Sequence, residues 1–257
     1  MPIIIGNCIL VGGGGNTAPV PSVPEFRFSV NSAGKGISAS DQFTIPVNAG
    51  TFNYDISTDD GYTATGVTGS HTITFPSGAG THNVVITGTF PGMRYADGND
   101  DQKLLTIDNW GPYGVGSTSQ RFAFQGCSNL VINATDTGDF SQASNFQRAF
   151  RACSSITTIP SLDFSSATNC QELFYFASNL TTFPANLFDN SPAINYTNAF
   201  ASTNLTEQSI DNILVSIDTA GGTSGTFKQS GGSPPSATGL AAKDSLVAKG
   251  WTVVYTV

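Results

Sequence analysis

Charge is what this sequence has least of. Only 11% of its 257 residues are Asp, Glu, Lys or Arg, less than half the usual share, so solubility rests on hydroxyls and amides. Ten basic residues stand against eighteen acidic ones, for a net charge of −8, and no Lys/Arg cluster is written anywhere. That balance argues against wrapping nucleic acid or lying on an anionic membrane, both of which need positive surface. Histidine is nearly missing too: His71 and His82 are the only two. The four cysteines, Cys8, Cys127, Cys153 and Cys170, show no CxxC pair and no metal-ligand spacing. No Gly-x-Ser-x-Gly, HExxH, Walker loop or dinucleotide fingerprint occurs. The acids of the second half, chiefly Asp136, Asp139, Asp163, Glu172 and Asp189, fall mostly at turns, not as the opposed pair that glycoside hydrolysis requires. The sequence therefore predicts no enzyme activity, no cofactor and no essential metal.

Long hydrophobic runs are absent as well. The apolar stretch from Pro2 to Val11 is too short to span a bilayer and lacks the basic flank of a secretory signal. Cys8 is likewise without the flanks of a lipoprotein attachment site. Gly12 to Gly15 and the spaced Pro19, Pro21 and Pro24 then read as a flexible joint followed by a stiff one. Residues 1–24 are thus an apolar strand on a tether. A bare strand carrying Ile3, Ile4, Ile5, Ile9 and Leu10 would aggregate unless paired. Pairing with another chain would make it an attachment device, and pairing with the chain's own first sheet is the alternative.

Residues 25–102 hold short period-two runs divided by turn clusters: Phe26 to Val30, Gln42 to Val47, Phe52 to Ile56, His71 to Phe75 and His82 to Phe90. Such spacing predicts a β-sandwich. The succession Tyr54-Asp55, Asp59-Asp60-Gly61, Gly69-Ser70-His71-Thr72 and Gly80-Thr81-His82-Asn83-Val84 resembles the PKD-like immunoglobulin sandwich, with Thr58 in place of its tryptophan and Asn83 in place of a tyrosine. Two acidic groups invite a metal argument, Asp55 with Asp59 and Asp60, and Asp97 with Asn99, Asp100 and Asp101. The second lacks the terminal bidentate Glu and the spacing of a calcium loop, and turn formation at strand ends accounts for both.

Residues 103–205 repeat themselves. Phe124-Gln125-Gly126-Cys127-Ser128-Asn129-Leu130 returns as Phe150-Arg151-Ala152-Cys153-Ser154-Ser155-Ile156, as Phe174-Tyr175-Phe176-Ala177-Ser178-Asn179-Leu180, and shortened as Phe200-Ala201-Ser202-Thr203-Asn204-Leu205. By residue number the leading phenylalanines are 26, 24 and 26 apart, a period that signals stacked units, each too small to bury its own apolar side. Within a unit, Phe146, Ala149 and Phe150 have the i, i+3, i+4 spacing of a short helix, and Ser155 to Ile159, ended by Pro160, reads as a short strand. Cys127 and Cys153 share a slot and are expected to stack as small buried hydrophobes.

The unit resembles the BspA-like branch of the leucine-rich repeats, in which an aromatic, two small residues, Cys or Ala, Ser, Asn or Ser, and Leu follow one another. Trp110-Gly111 stands where that family opens its array, and the likeness extends from about Lys103 to Asp218. In residues 206–257, Thr206 caps a helix through Ser216, with Ile210, Ile213, Leu214 and Ile217 on its inner side. The strand Gly225 to Ser230, a helix Leu240 to Lys249 stopped by Gly250, and the strand Trp251 to Val257 follow, together forming a capping unit. The expected fold is therefore mixed β and α/β: an Ig-like sandwich, then a short BspA-like solenoid with a C-terminal cap.

Side chains expected to point outward on the repeats include Gln147, Arg148, Arg151, Gln171, Glu172, Tyr175 and Asn195. Arg and Tyr dominate binding hot spots, so Arg148, Arg151, Tyr175, Glu172 and Gln147 are the candidate binding residues. BspA-like proteins of cells are usually exported adhesins, and such repeats also occur in phage virions. The apolar tip and tether favour the second: a non-enzymatic tail fibre or spike, expected to be a homo-oligomer and, as fibres of this sort commonly are, a trimer. It would join other virion proteins through its N-terminus and read a host glycan or protein with its repeats. A bacterial surface adhesin and a capsid or tail decoration protein are the alternatives.

Overall fold

The computed structural model describes residues 23–96, 98–160 and 162–256. The expected attachment strand, with Ile3, Ile4, Ile5, Ile9 and Leu10, lies outside them, as does Asp97.

The chain is mostly β-structure with few helices. Strands β1 (Phe26–Asn31), β2 (Gln42–Ile45), β3 (Asn53–Thr58), β4 (Thr63–Val67), β5 (His71–Thr74) and β6 (Thr81–Thr89) come first, followed by a single 3-10 turn at Asp101–Lys103 and β7 (Leu104–Asn109). Each alternating run found in the sequence forms a strand because its odd and even side chains part to opposite faces; in β3 the buried residues are Tyr54 and Ile56. Strand β4 was not foreseen. None of its side chains is fully buried, so its sequence carries no apolar alternation.

With the two-residue β8 (Val131–Ile132), six strands make one sheet in the order β4-β3-β6-β1-β7-β8, while β2 and β5 pair separately. Phe28 of β1 meets Phe43 of β2 at 5.9 Å between ring centres. Strand β7 pairs antiparallel with β1 and parallel with β8. The strand that opens the repeats thus also belongs to the N-terminal sheet. The joint is tightened at Trp110-Gly111, whose backbone N–H groups both donate to the Asp136 carboxylate, at 3.0 Å and 2.9 Å. Gly111 has φ +47°, and a Cβ there would fall on the Glu25 carbonyl, so only glycine fits this approach.

Successive repeats lie side by side. Phe122, Phe124 and Gly126 donate backbone N–H bonds to Gln147, Ala149 and Arg151 of the next repeat. Arg148, Phe150 and Ala152 donate likewise to Gln171, Leu173 and Tyr175, and Glu172, Phe174 and Phe176 to Thr197, Ala199 and Ala201. The intervening amides close turns within their own repeat, as Ala149 does to Phe146 and Cys153 to Phe150.

This corrects the expected short helix. Phe122, Arg148, Glu172 and Asn198 have φ of 62°, 60°, 54° and 55°, and four residues on Gly126, Ala152, Phe176 and Ser202 have 84°, 61°, 61° and 60°. Two left-handed residues per repeat forbid helical continuation, and they turn every second N–H outward to the neighbour. The strand expected after each turn shrinks to β8 and a single bridge, Thr158 to Thr182. The continuous pairing occurs elsewhere: Ser119, Asn145, Asn169 and Asn195 bridge in parallel. Strands β9 (Asn195–Thr197), β10 (Thr226–Ser230) and β11 (Thr252–Thr256) carry that row to Thr226 and Thr252.

The four leading phenylalanines are buried and stack in file, with centroid separations of 5.3, 5.3 and 5.8 Å. Such offset pairs contribute roughly 0.5–1.5 kcal/mol each beyond their burial. Cys127, Cys153 and Cys170 are buried free thiols, pushed up in pKa chiefly by burial. The Cys153 thiol bonds the Phe124 carbonyl at 3.0 Å. At the C-terminal end, α1 (Glu207–Ala220) is capped by Thr206, whose hydroxyl accepts from the Ser209 amide, and runs four residues beyond the expected Ser216. Its expected inner side, Ile210, Ile213, Leu214 and Ile217, is buried. Helix α2 (Ala237–Ala248) is capped by Ser236, begins three residues before the expected Leu240, and is followed by Gly250 in the left-handed conformation.

Candidate functional site

Because each repeat has the same register, residues of one slot form rows across the repeats. Arg121, Gln147 and Gln171 are one row: Arg121 Nε donates to Gln147 Oε1 at 2.8 Å, and Gln147 Nε2 donates to Gln171 Oε1 at 3.0 Å. Phe122, Arg148 and Glu172 are the next. Arg148 grips Glu172 with two guanidinium nitrogens, Nε at 2.9 Å and Nη2 at 3.3 Å, the fork geometry that makes Arg–carboxylate pairs directional. In a third row Arg151 lies with its guanidinium carbon 5.5 Å from the Tyr175 ring centre, while its Nε is 3.4 Å from Glu172 Oε2. Tyr175 in turn leans on Phe176 at 4.1 Å, and Phe176 is 46% exposed.

The five candidate binding residues, Gln147, Arg148, Arg151, Glu172 and Tyr175, are therefore brought together on one face. Four further members escaped the sequence reading: Arg94, Arg121, Phe122 and Phe176. Arg94, Arg121 and Arg148 gather round the Phe122 ring at 5.2, 4.2 and 5.9 Å from its centre, within cation–π range. Aligning the repeats in register would have found Arg121 and Phe122. Arg94 precedes the repeats, and no pattern announces it.

The chain has five arginines, Arg27, Arg94, Arg121, Arg148 and Arg151, and four of them meet here. The sequence shows no basic cluster because Arg94, Arg121 and the Arg148/Arg151 pair stand 27 residues apart by residue number; the fold brings them together. Among the described residues, Glu172 is the one carboxylate that ion-pairs with them. The row Phe122, Arg148, Glu172 also occupies the first left-handed slot, where a non-glycine residue costs on the order of 1–2 kcal/mol. Large side chains stand at a position where glycine would be cheaper.

The acidic groups have other work. Asp100 is fully buried and accepts from the amides of Ile37, Ser38 and Thr44 at 2.9, 3.0 and 2.7 Å and from the Ser38 hydroxyl at 2.6 Å. Burial pushes its carboxyl up, but the Ser38 hydroxyl, the Ser38 and Thr44 amides and Lys103 outweigh that and hold it below the usual range. Asp59, Asp60 and His82 place a ligand atom each within 4.8 Å of one another. Asp60 is occupied by Ser77 and Thr58, Asp59 by Asn83, and His82 stacks on Phe75 at 3.7 Å. On the repeats, an open groove of about 470 Å³ is lined by Asp139, Asp163, Phe164 and Asn186 among others. Its two carboxylates accept from the amides of Ser141 and Ser165 in local turns.

Comparison with protein-family models, with curated proteins and with solved structures finds no match to this chain. No helix among the described residues is long and apolar enough to cross a membrane.

Proposed function

We propose that the chain is a non-enzymatic recognition protein that binds through the arginine-aromatic face, and that it serves as a fibre or spike of a phage virion. The observation that carries the binding reading is the assembly of four of the five arginines around Phe122, Tyr175 and Glu172 in a chain of net charge −8. Arg and aromatic side chains held by neighbours lose little further entropy when a ligand arrives, which is what makes such residues dominate interfaces. In this reading the N-terminal part is an Ig-like sandwich, the repeats are a BspA-like leucine-rich solenoid, and residues 206–257 cap it. The apolar segment holding Ile3 to Leu10, on its Gly/Pro tether, joins the chain to other virion proteins. Self-association into a trimer would raise weak single-site affinity through effective concentration.

Two measurements test this. The protein is expected in purified virions, and its presence instead in a cell-envelope fraction would favour a surface adhesin. Arg148→Ala combined with Tyr175→Ala is expected to leave the unfolding midpoint within a few degrees of wild type and to lower host adsorption about tenfold or more, the loss of roughly 1.4 kcal/mol or more from a hot spot. Unchanged adsorption would place recognition on another surface.

A further inference from the structure

The binding face is rich in donors and poor in acceptors. Among the described residues Arg94 has no side-chain hydrogen bond or ion pair, and Arg121 uses Nε alone, on Gln147. The Arg148 fork and Arg151 share the single carboxylate of Glu172. A guanidinium offers five N–H donors and no acceptor, so the matching ligand is one made of acceptors: carboxylate or sulfate oxygens together with hydroxyl and ring oxygens. Beside these donors the half-buried Tyr175 and exposed Phe176 rings present flat apolar surface to a ring of similar size.

From this pattern we propose that the face takes an anionic polysaccharide, carboxylated or sulfated, through Arg94, Arg121 and Arg148, with its sugar rings against Tyr175 and Phe176. The proposal rests on the reading of this face as the recognising surface. An acidic peptide fits less well, because it brings backbone N–H donors that need acceptors, and the alternate backbone carbonyls along these repeats already accept from the preceding repeat, leaving no open ladder for strand addition. A nucleic acid strand fits less well too. Its phosphates continue past a patch about two strand spacings long, roughly 10 Å, onto the surface of a chain with eighteen acidic and ten basic residues, where they are repelled.

Glu172 makes the idea testable in both directions. Its carboxylate is an internal anion that occupies the Arg148 fork. Glu172→Gln keeps the shape and removes that competitor, so it is expected to tighten binding several-fold, whereas Arg121→Gln, at an exposed position, is expected to weaken it about tenfold. The experiment is equilibrium binding of the full chain to polygalacturonate and dextran sulfate, with neutral dextran, poly-L-glutamate and oligo-dT as comparators, at two salt concentrations. Melting curves on each variant confirm folding.

Binding to either anionic glycan, weakening with salt, reduced about tenfold in Arg121→Gln and strengthened in Glu172→Gln, is the expected result; which of the two binds more tightly identifies the anionic group. Equal or tighter binding of poly-L-glutamate, oligo-dT or neutral dextran would overturn the proposal, as would Arg121→Gln matching wild type or Glu172→Gln failing to gain. If no anionic glycan binds while Arg148→Ala with Tyr175→Ala still loses host adsorption, the ligand chemistry is wrong and the recognising face stands. If adsorption is also unaffected, both fall.

Discussion

Phe150→Ala is expected to lower the unfolding free energy by about 3–5 kcal/mol, as for other buried aromatic rings reduced to a methyl. Phe150 is 2% exposed and stacked on both sides, on Phe124 and Phe174 at 5.3 Å each. Its removal therefore opens a void in the middle of the file of rings, not at an end. The neighbours have little freedom to close it, because the backbone N–H groups of Arg148, Phe150 and Ala152 fix the spacing to the next repeat. Denaturant unfolding should show the midpoint shifted with the slope retained. A loss below about 0.5 kcal/mol, the level of an ordinary surface change, would mean that the file of rings does not bear on stability.

Asp100→Ala is expected to cost about 3–5 kcal/mol, since it takes the nearest counter-charge from a buried cation and strips the acceptor from Ile37, Ser38 and Thr44. Lys103 is 1% exposed. Its ammonium donates to the carbonyls of Ser38, Ala39 and Gln42 and to the Ser38 hydroxyl, with Asp100 Oδ1 at 3.9 Å. Asp100 and Lys103 thus pin the segment before and within β2 to the turn before β7.

The pH dependence has a definite sign. The folded-state pKa of Asp100 is lowered, so its contribution is fully present above the unfolded value of about 3.9 and is lost as pH falls through the folded value. Neighbouring Asp101 is raised, chiefly by burial, and contributes in the opposite sense, favouring the fold as pH falls. The difference between wild type and Asp100→Asn as pH falls below about 4 isolates the first effect. Wild type should lose stability there faster than the variant. Parallel curves would show that Asp100 is not held ionised by these partners.

What the sequence made legible was whatever it repeats. The period of Phe124, Phe150, Phe174 and Phe200 located the buried rings, and alternation located five of the first six strands. The short helix was a misreading because Phe146, Ala149 and Phe150 satisfy helical spacing equally well when consecutive turns, not helical bonds, set the backbone. The deciding left-handed residues, Arg148 and Ala152, carry no glycine signature. Strand β4 was invisible because its residues are exposed or half-buried on both faces. Asp100, which read as part of an acidic turn at a strand end, is an interior acceptor, and nothing local to the sequence records the distant Ser38 and Thr44 that surround it. The candidate face was legible as single residues but not as a site. Arg121 and Arg148 are one repeat apart, and Arg94 reaches Phe122 from outside the repeats altogether.

The central claim, that side chains are kept in the left-handed slot for recognition at a cost in backbone energy, meets its most direct test in Arg148→Gly. Arg148 has φ +60°, so glycine relieves about 1 kcal/mol of strain. The ion pair that is lost joins a partly exposed guanidinium to a largely buried carboxylate, and Glu172 keeps Arg151 at 3.4 Å as counter-charge, so the loss is worth about as much. Unfolding free energy and host adsorption should be measured on the same preparation. Stability within about 1 kcal/mol of wild type together with a large loss of adsorption is the predicted result. Adsorption at the wild-type level, or a fall in stability of several kcal/mol, would contradict it.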